Sequence, residues 1–248
     1  MKCIEIFNYL KEIYPLELAM DWDNSGFLIG RYDNEAENVL ITLDITNDAI
    51  DFAVKNNVNL IVSHHPIIFS AIKQITEETL LGNYILKLIE NNISVIAMHT
   101  NFDIAKGGMA DIASRRLALR CARPLEVTFK DENNELGIGK VGELPEPLSF
   151  ETLIALVKYA FRQETVAVYG KENIKDYVER VAISPGSGRG MYKYALGRAD
   201  VLITGDITHH EGLDAANMGM CIIDASHYGL EHIFVDNIGD ILEGFNDI

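Results

Sequence analysis

The sequence predicts an α/β protein in which much of the sheet is parallel. Short apolar runs rich in β-branched residues alternate along the chain with segments of helical periodicity. Such alternation is typical of strand–helix–strand units, in which successive strands lie parallel. At 248 residues the chain is long enough for one large α/β domain or for two small ones.

The pattern predicts the elements in order, beginning with an amphipathic helix over residues 2–14. Gly107 and Gly108 break the chain before a later helix, and Ser149 or Thr152 can cap the helix that follows. The predicted strands are residues 39–43, 58–62, 93–98, 165–169, 181–183, 201–204 and 220–223. The other predicted helices are 47–56, 77–90, the segment from Gly108 to about 119, 149–161, two ending near 196 and 216, and a terminal helix opening within 224–231.

Residues 123–150 differ from the rest, because they combine Pro124, Pro145 and Pro147 with short β-like pieces. This stretch is predicted to be a lobe boundary or an excursion at a sheet edge. The predicted lobes are therefore residues 1–125 and 126–248, with an approximate boundary and with interleaving of the lobes left open.

The composition excludes some classes of function. A formal charge of −16 and a pI near 4.8 argue against a nucleic-acid partner. An anionic small-molecule substrate is compatible with that charge, since bound metal ions would carry their own positive charge. No apolar run approaches the roughly 20 residues that span a membrane, and residues 1–14 do not resemble a signal peptide. We therefore expect a cytoplasmic protein without membrane contact.

Three cysteines are too few and too scattered for a disulfide framework or a thiolate zinc site. Cys3, Cys121 and Cys221 are instead predicted to be small buried apolar residues in a reducing cytosol.

The segment most informative about function is Ser63-His64-His65-Pro66, which ends a predicted buried strand. Proline cannot continue a central strand and favours an extended conformation at His65. Both imidazoles are thus predicted just beyond the carboxyl end of a strand, where ligands bind in open α/β sheets. Because adjacent residues point in different directions, two neighbouring histidines suit two metal ions better than one.

The seven histidines collect in a few windows that follow predicted strands, and residues 1–63, 104–208 and 233–248 contain none. Such clustering favours one shared site. Its members are His64, His65, His99, His209, His210, His227 and His232.

Each window also has a plainer interpretation. His64-His65 could be a buried hydrogen-bonded pair, and the loop of His99 and Asp103 could be an Asx-type turn with a solvated histidine. His227 and Glu231 share one helix face at i, i+4 spacing, which is also common for a surface pair.

The remaining histidines are less diagnostic. His209 and His210 could orient ligands or contact substrate, or simply follow a helix capped by Asp206 or Thr208. His232 points elsewhere on the helix and is predicted to be structural.

Together these windows supply three imidazole nitrogens and two carboxylates, from His64, His65, Asp103, His227 and Glu231. That set is too small for two closed four-coordinate sites and leaves positions for water, as in catalytic centres. Mixed imidazole and carboxylate ligation suits Zn, Fe, Mn or Co without choosing among them.

Three motifs resemble the Nif-three-like dinuclear metal-centre family, whose members are often called GTP cyclohydrolase 1 type 2 homologues. They are Ser63-His64-His65-Pro66, His99-Thr100-Asn101-Phe102-Asp103 and Ser226-His227-x-x-x-Glu231, and the supporting matches are Trp22-Asp23-Asn24-Ser25-Gly26, the segment 137–142 and Thr204-Gly205-Asp206. The similarity covers nearly the whole chain in order, and its combination of motifs is specific.

The resemblance implies two interlocked α/β lobes with a dinuclear metal site in the cleft between them, assembled as a homohexamer. His64 and His65 would each hold a different divalent metal ion. Asp103 would bind one ion, His227 the other, and Glu231 would bridge both.

Two functions follow as hypotheses. One is a metal-dependent hydrolase acting on GTP, another nucleotide or a phosphoester, with His99, His209 and His210 as candidate acid/base groups. The alternative is a non-enzymatic metal-binding protein with a regulatory or scaffold role. The Gly186–Gly190 segment could bind phosphate through backbone N–H groups, although a tight turn is the favoured interpretation.

Overall fold

The structure, a computed structural model, describes residues 1–246 and is mixed α/β with two sheets, as the sequence predicts. Contacts divide the chain into two compact units. The first comprises Met1–Ala105 and the chain from Phe234 onward, and the second comprises Lys106–Ile233. Among residues 1–246, no helix is both long and apolar enough to cross a membrane.

The elements follow the predicted order. The strands are β1 (Gly26–Ile29), β2 (Val39–Thr42), β3 (Leu60–Ser63), β4 (Ser94–Ala97), β5 (Arg120–Lys130), β6 (Glu135–Leu148), β7 (Ala167–Tyr169), β8 (Val178–Ser187), β9 (Val201–Gly205) and β10 (Cys221–Asp224). The helices are α1 (Cys3–Ile13), α2 (Asn47–Lys55), α3 (Leu80–Glu90), α4 (Thr100–Ile104), α5 (Met109–Arg116), α6 (Phe150–Ala160), α7 (Tyr192–Ala195), α8 (His209–Asn217), α9 (His227–Glu231) and α10 (Ile233–Asn246).

The sheet of the first unit has the strand order β1-β4-β3-β2, and its last three strands are parallel. The register pairs Ser63 with Thr42 on one side and with Ala97 on the other. The three carboxyl ends therefore lie at one edge, and Asp44, His64 and His99 follow them within one or two residues. β3 is buried throughout, as its continuous apolar run predicts.

Side-chain caps determine where several helices begin. Thr46 caps α2 by accepting a hydrogen bond from the Ala49 N–H, and Ser149 caps α6 in the same way, as predicted. Thr79 caps α3, so that helix begins at Leu80 and not at residue 77.

The sheet of the second unit has the order β5-β6-β8-β9-β10-β7, with β8, β9 and β10 parallel. The proline-rich stretch that was predicted to be a boundary or an edge excursion forms a long hairpin, in which β5 is an edge strand. β5 pairs with β6 along most of its length, and both strands belong to the second unit. The second unit begins at Lys106.

The chain also returns to the first unit at its end. The Tyr14 hydroxyl donates to Asn237 Oδ1 at 2.8 Å, and the ring of Phe234 packs edge-on against Phe102 at 5.1 Å. α10 therefore packs in the unit in which the chain begins.

The cysteines divide into two kinds. Cys3 and Cys221 are buried, and burial raises the pKa of both thiols, that of Cys221 to about 12. Both therefore behave as the small apolar residues that were predicted. The same prediction was wrong for Cys121, which is exposed on the edge strand β5.

Candidate functional site

Three imidazoles of the first unit meet beyond the carboxyl ends of β3 and β4. The ring of His64 lies 4.9 Å from that of His65 and 5.2 Å from that of His99, and the last two are 5.5 Å apart. One ring nitrogen of each lies within 4.8 Å of the others, which is close enough to surround a metal ion. These three residues therefore form one cluster.

Each of these rings is oriented through Nδ1. His64 Nδ1 donates to the Met98 carbonyl at 2.8 Å, and His65 Nδ1 donates to Asp44 Oδ1 at 2.9 Å. His99 Nδ1 donates to Asp23 Oδ1 at 2.6 Å. Since all three acceptors are carbonyl or carboxylate oxygens, the proton lies on Nδ1 and Nε2 carries the lone pair that can bind a metal.

Asp103 lies beside this cluster, on the short helix α4. Its Oδ1 is 3.6 Å from Nε2 of His64. Asn101 of the same helix is buried and donates from Nδ2 to the Tyr14 carbonyl, which fixes α4 against the chain after α1. His99 directly precedes α4, and its side chain is only 13% exposed, so the interpretation as a solvated histidine does not hold.

Asp23 and Asp44 are the two carboxylates at this cluster that the sequence did not single out, and Asp23 makes more contacts. Its carboxylate accepts hydrogen bonds from His99, from Ser25 and from both the N–H and the hydroxyl of Thr100. Burial alone would raise the pKa of the Asp23 carboxyl, but these bonds outweigh it and hold the pKa well below its usual range. Asp23 therefore stays anionic and fixes the ring of His99.

In the second unit, His227 and Glu231 contact each other across one turn of α9. His227 Nε2 lies 2.9 Å from Glu231 Oε2, and Nδ1 lies 2.8 Å from Asp206 Oδ2. Glu231 is 3% exposed. A carboxylate this deeply buried needs positive charge or donors around it. The pair is therefore not the surface pair of the plainer interpretation.

The segment before His227 is strained. Ser226 has φ 62° and ψ 151°, a region that is almost exclusive to glycine. Its N–H donates to Asp224 Oδ1 at 3.0 Å, and its hydroxyl accepts from the Gly229 N–H at 2.9 Å. These bonds hold the strained backbone and set the direction in which α9 presents His227.

Asp206 acts differently from the predicted alternatives. It lies directly after β9 with φ 54° and pairs with His227, whereas α8 is capped by Thr208. His209 and His210 are the first two residues of α8, and both are exposed, with rings 5.5 Å apart. Among residues 1–246, neither belongs to a group with metal-ligand spacing. His232 donates from Nδ1 to the Gly229 carbonyl, consistent with a structural role.

The Gly186–Gly190 segment serves the site by leaving space. Gly186 has φ +80°, and a Cβ placed there would lie 2.4 Å from Glu231 Oε1. The N–H of Gly188 donates to the Gly205 carbonyl, and that of Gly190 donates to Glu211. Because these two donors are already used within the fold, the observed contacts favour the turn interpretation.

We expect Gly186→Ala to displace the Glu231 carboxylate. The new methyl group would collide with Oε1, and the positive φ would add strain, lowering the free energy of unfolding by about 1–3 kcal/mol. Chemical denaturation and metal analysis of the purified protein measure both effects. Gly190→Ala is the matched control, since it has φ +76° and no atom within 4 Å of the added Cβ. Equal metal content in the two variants would contradict this role for Gly186.

The donor chemistry of both clusters fits divalent metal ions. Imidazole nitrogens oriented through Nδ1, together with carboxylates, are the ligands that Zn, Fe, Mn and Co bind in proteins. A mixed α/β fold with such imidazole and carboxylate clusters places the chain among proteins able to bind metals of this kind.

The chain belongs to the Duf34/NIF3 (NGG1p interacting factor 3) family, whose model matches residues 1–247. The GTP cyclohydrolase 1 type 2 homolog of Clostridium acetobutylicum is 35% identical over 245 residues, covering 98% of this chain and 90% of that protein. The GTP cyclohydrolase 1 type 2 of Helicobacter pylori J99 is 35% identical over 243 residues, covering 98% and 92%. The solved structure of reduced HcgD from Methanocaldococcus jannaschii superposes with a TM-score of 0.87 at 29% identity, covering 98% and 94%. The family resemblance predicted from the motifs is thus confirmed.

Proposed function

We propose that this protein is a hydrolase that depends on two divalent metal ions. Their ligands would be His64, His65 and Asp103 of the first unit and His227 and Glu231 of the second. The observation that supports this most strongly is the orientation of the three ligand histidines, each of which donates its Nδ1 proton to an oxygen acceptor at 2.8–2.9 Å. Histidines that bind metals through Nε2 are held in this way.

The contacts within each unit support the division of the ligands. Asp103 lies beside His64, which favours a shared ion for these two residues. Glu231 lies beside His227, in keeping with a bridging carboxylate close to the second ion. His65 would complete the coordination of that second ion. Fewer than four protein ligands per ion leaves room for water, as catalysis requires.

When bound, two such cations lower the pKa of a water molecule and stabilise negative charge that develops on a substrate oxygen. The chain's own contribution is proton transfer and positioning. We assign His99 as the acid/base group, because Asp23 holds its ring through Nδ1 and leaves Nε2 to move a proton. His209 and His210 are assigned a secondary role in contacting the substrate, which their exposure at the start of α8 permits.

The substrate class follows from the relatives. The Helicobacter pylori relative is called GTP cyclohydrolase 1 type 2, so GTP is the first substrate to test, followed by other nucleotides and phosphoesters. The net charge of −16 makes an unaided anionic substrate unfavourable, and cations at the site would offset it. We further propose that the protein acts in the cytoplasm as a homohexamer. Light scattering of the purified protein measures the size of the assembly.

The test combines metal analysis with turnover. We expect two metal ions per chain after reconstitution with Zn, Fe, Mn or Co, and metal-dependent turnover of GTP or of a member of a nucleotide and phosphodiester panel. His64→Ala and Asp103→Ala should lose both metal and turnover, whereas Asp33→Ala, an exposed aspartate of the same unit, should keep both.

Other outcomes would separate the alternatives. A protein that holds both metal ions but turns over nothing would support the regulatory or scaffold role. Less than one metal ion per chain, unchanged by Asp103→Ala, would show that the histidines do not bind metal.

A further inference from the structure

Two large aromatic side chains stand in solvent next to the imidazole cluster of the first unit. Trp22 is 54% exposed and Phe69 is 53% exposed, and their ring centroids are 5.8 Å apart at an interplanar angle of 46°. We call Trp22 and Phe69 the aromatic wall. The Trp22 ring lies 5.9 Å from that of His99, and Phe69 lies 6.4 Å from the same ring.

The aromatic wall is built from two loops that are tied together. Asn24 donates from Nδ2 to the Ile68 carbonyl at 2.5 Å, joining the loop of Trp22 to the loop of Phe69. The Asn24 N–H also donates to Asp23 Oδ1, the oxygen that holds His99. The wall is thereby fixed relative to the imidazole cluster, which lowers the entropy lost when a ligand binds against it.

Exposure alone does not indicate a binding surface, since single apolar side chains are common on protein surfaces. What points to a binding surface is the position of Trp22 and Phe69 beside the imidazole cluster. A small molecule whose reacting atoms lie near His64 and His99 would extend directly over Trp22, and a flat aromatic group is the chemistry that stacks on an exposed indole.

We propose that the aromatic wall binds a planar heteroaromatic ring of the substrate, of the nucleobase class. This inference rests on the proposed function, because it assumes that the reacting part of the substrate lies at the imidazole cluster. Asp21, the residue that precedes Trp22 in the chain, is exposed, and its negative charge disfavours a phosphate in this part of the surface. Charge therefore favours the ring over the phosphates at the wall.

The chain supplies its own probe, because Trp22 is its only tryptophan. Purified full-length protein, with and without reconstituted metal, is titrated with guanosine, adenosine, GTP and inorganic triphosphate while tryptophan emission is recorded. Free tryptophan amide corrects for absorption by the ligands. We expect saturable quenching by ring-containing ligands and none by triphosphate.

Two variants with one matched control test the residues. Phe69→Leu should weaken binding of the ring-containing ligands roughly 5- to 100-fold, as expected for the loss of a stacking partner. Phe52→Leu removes a phenylalanine of the same 53% exposure elsewhere in the first unit and should leave binding unchanged. Trp22→Leu removes the fluorescent probe, so its binding of the ring-containing ligands is measured by calorimetry and should also be weakened. Circular dichroism checks that this variant is folded.

Several results would overturn the proposal. These are quenching by triphosphate alone, no quenching by any ring compound, or equal binding by the Phe69→Leu and Phe52→Leu proteins. Emission that changes with protein concentration in step with assembly size would assign the wall to a second copy of the chain instead.

The two proposals can fail separately. If the protein binds ring compounds but shows no turnover, the aromatic-wall proposal is supported and the hydrolase proposal fails. If turnover is found and neither kcat nor KM changes in the Phe69→Leu and Trp22→Leu proteins, the hydrolase proposal stands and the aromatic-wall proposal fails.

Discussion

Glu231→Gln is expected to weaken strongly the stabilisation of this protein by divalent metal ions. Glutamine has nearly the same shape as glutamate, so the space left by Gly186 still accommodates it. What is lost is the negative charge of a side chain that is 3% exposed and lies 2.9 Å from His227 Nε2. An amide is a much weaker ligand than a carboxylate for Zn, Fe, Mn or Co. We expect metal affinity to fall by roughly 100-fold or more.

The measurement is the difference in unfolding free energy between metal-loaded and metal-free protein. A 100-fold loss of affinity removes about 2.7 kcal/mol of that difference at a metal concentration that saturates the unmodified protein. The metal-free variant is compared with the unmodified apoprotein, so that any effect of losing the charged contact with His227 is separated from the effect on metal binding. Glu211→Gln is the control, since Glu211 also accepts hydrogen bonds, from the Gly190 N–H and the Thr208 hydroxyl, but lies on α8 outside the proposed ligand set. Equal metal-dependent stabilisation of both variants would remove Glu231 from the ligand set.

Much of the fold was predictable, because strand and helix periodicities differ and each predicted strand has a counterpart. β3 is the clearest case, since its run of apolar residues stops at Ser63 and the histidines follow at once. The parallel register then brings the ends of β2, β3 and β4 to one edge, so a local sequence feature led to a correct spatial prediction.

The features that escaped prediction depend on partners distant in the sequence. β1 has only four residues and exists because it pairs with β4. The hydrogen bond between Asp23 and His99 joins residues 76 positions apart, and its aspartate lies in a segment that reads as an ordinary turn. The chain's return to the first unit through α10 is equally invisible to local periodicity.

Gly186 shows a different limit of sequence reasoning. A glycine-rich segment between a strand and a helix is typical both of phosphate-binding loops and of tight turns. Only the structure shows that the space left by the missing side chain is filled by the Glu231 carboxylate. Gly186 is needed because it lies against Glu231, a residue 45 positions later in the chain. A local sequence pattern cannot show such a contact.

Asp23→Ala is expected to cause a large loss of stability in the first unit. The carboxylate accepts from His99 Nδ1, from Ser25 Oγ and from the N–H and hydroxyl of Thr100. Alanine would leave these donors without an acceptor in a buried place. The free energy of unfolding should fall by about 3–5 kcal/mol, as when one partner of a buried charged network is removed. Asp21→Ala removes an exposed aspartate two residues away and should change it by less than about 0.5 kcal/mol.

The pH dependence of the same variant separates the charge from the loss of packing. The pKa of Asp23 is lower in the folded protein than in the unfolded chain, so its contribution to stability is fully present above about pH 4 and is lost as the pH falls toward the folded-state value. The difference in unfolding free energy between unmodified and Asp23→Ala protein should therefore shrink between about pH 4 and pH 2. Turnover, where it is found, should fall roughly 100-fold or more, because the ring of His99 loses the group that orients it. A stability difference that is constant across this pH range would mean that the carboxylate acts by filling space, and that His99 is positioned by something else.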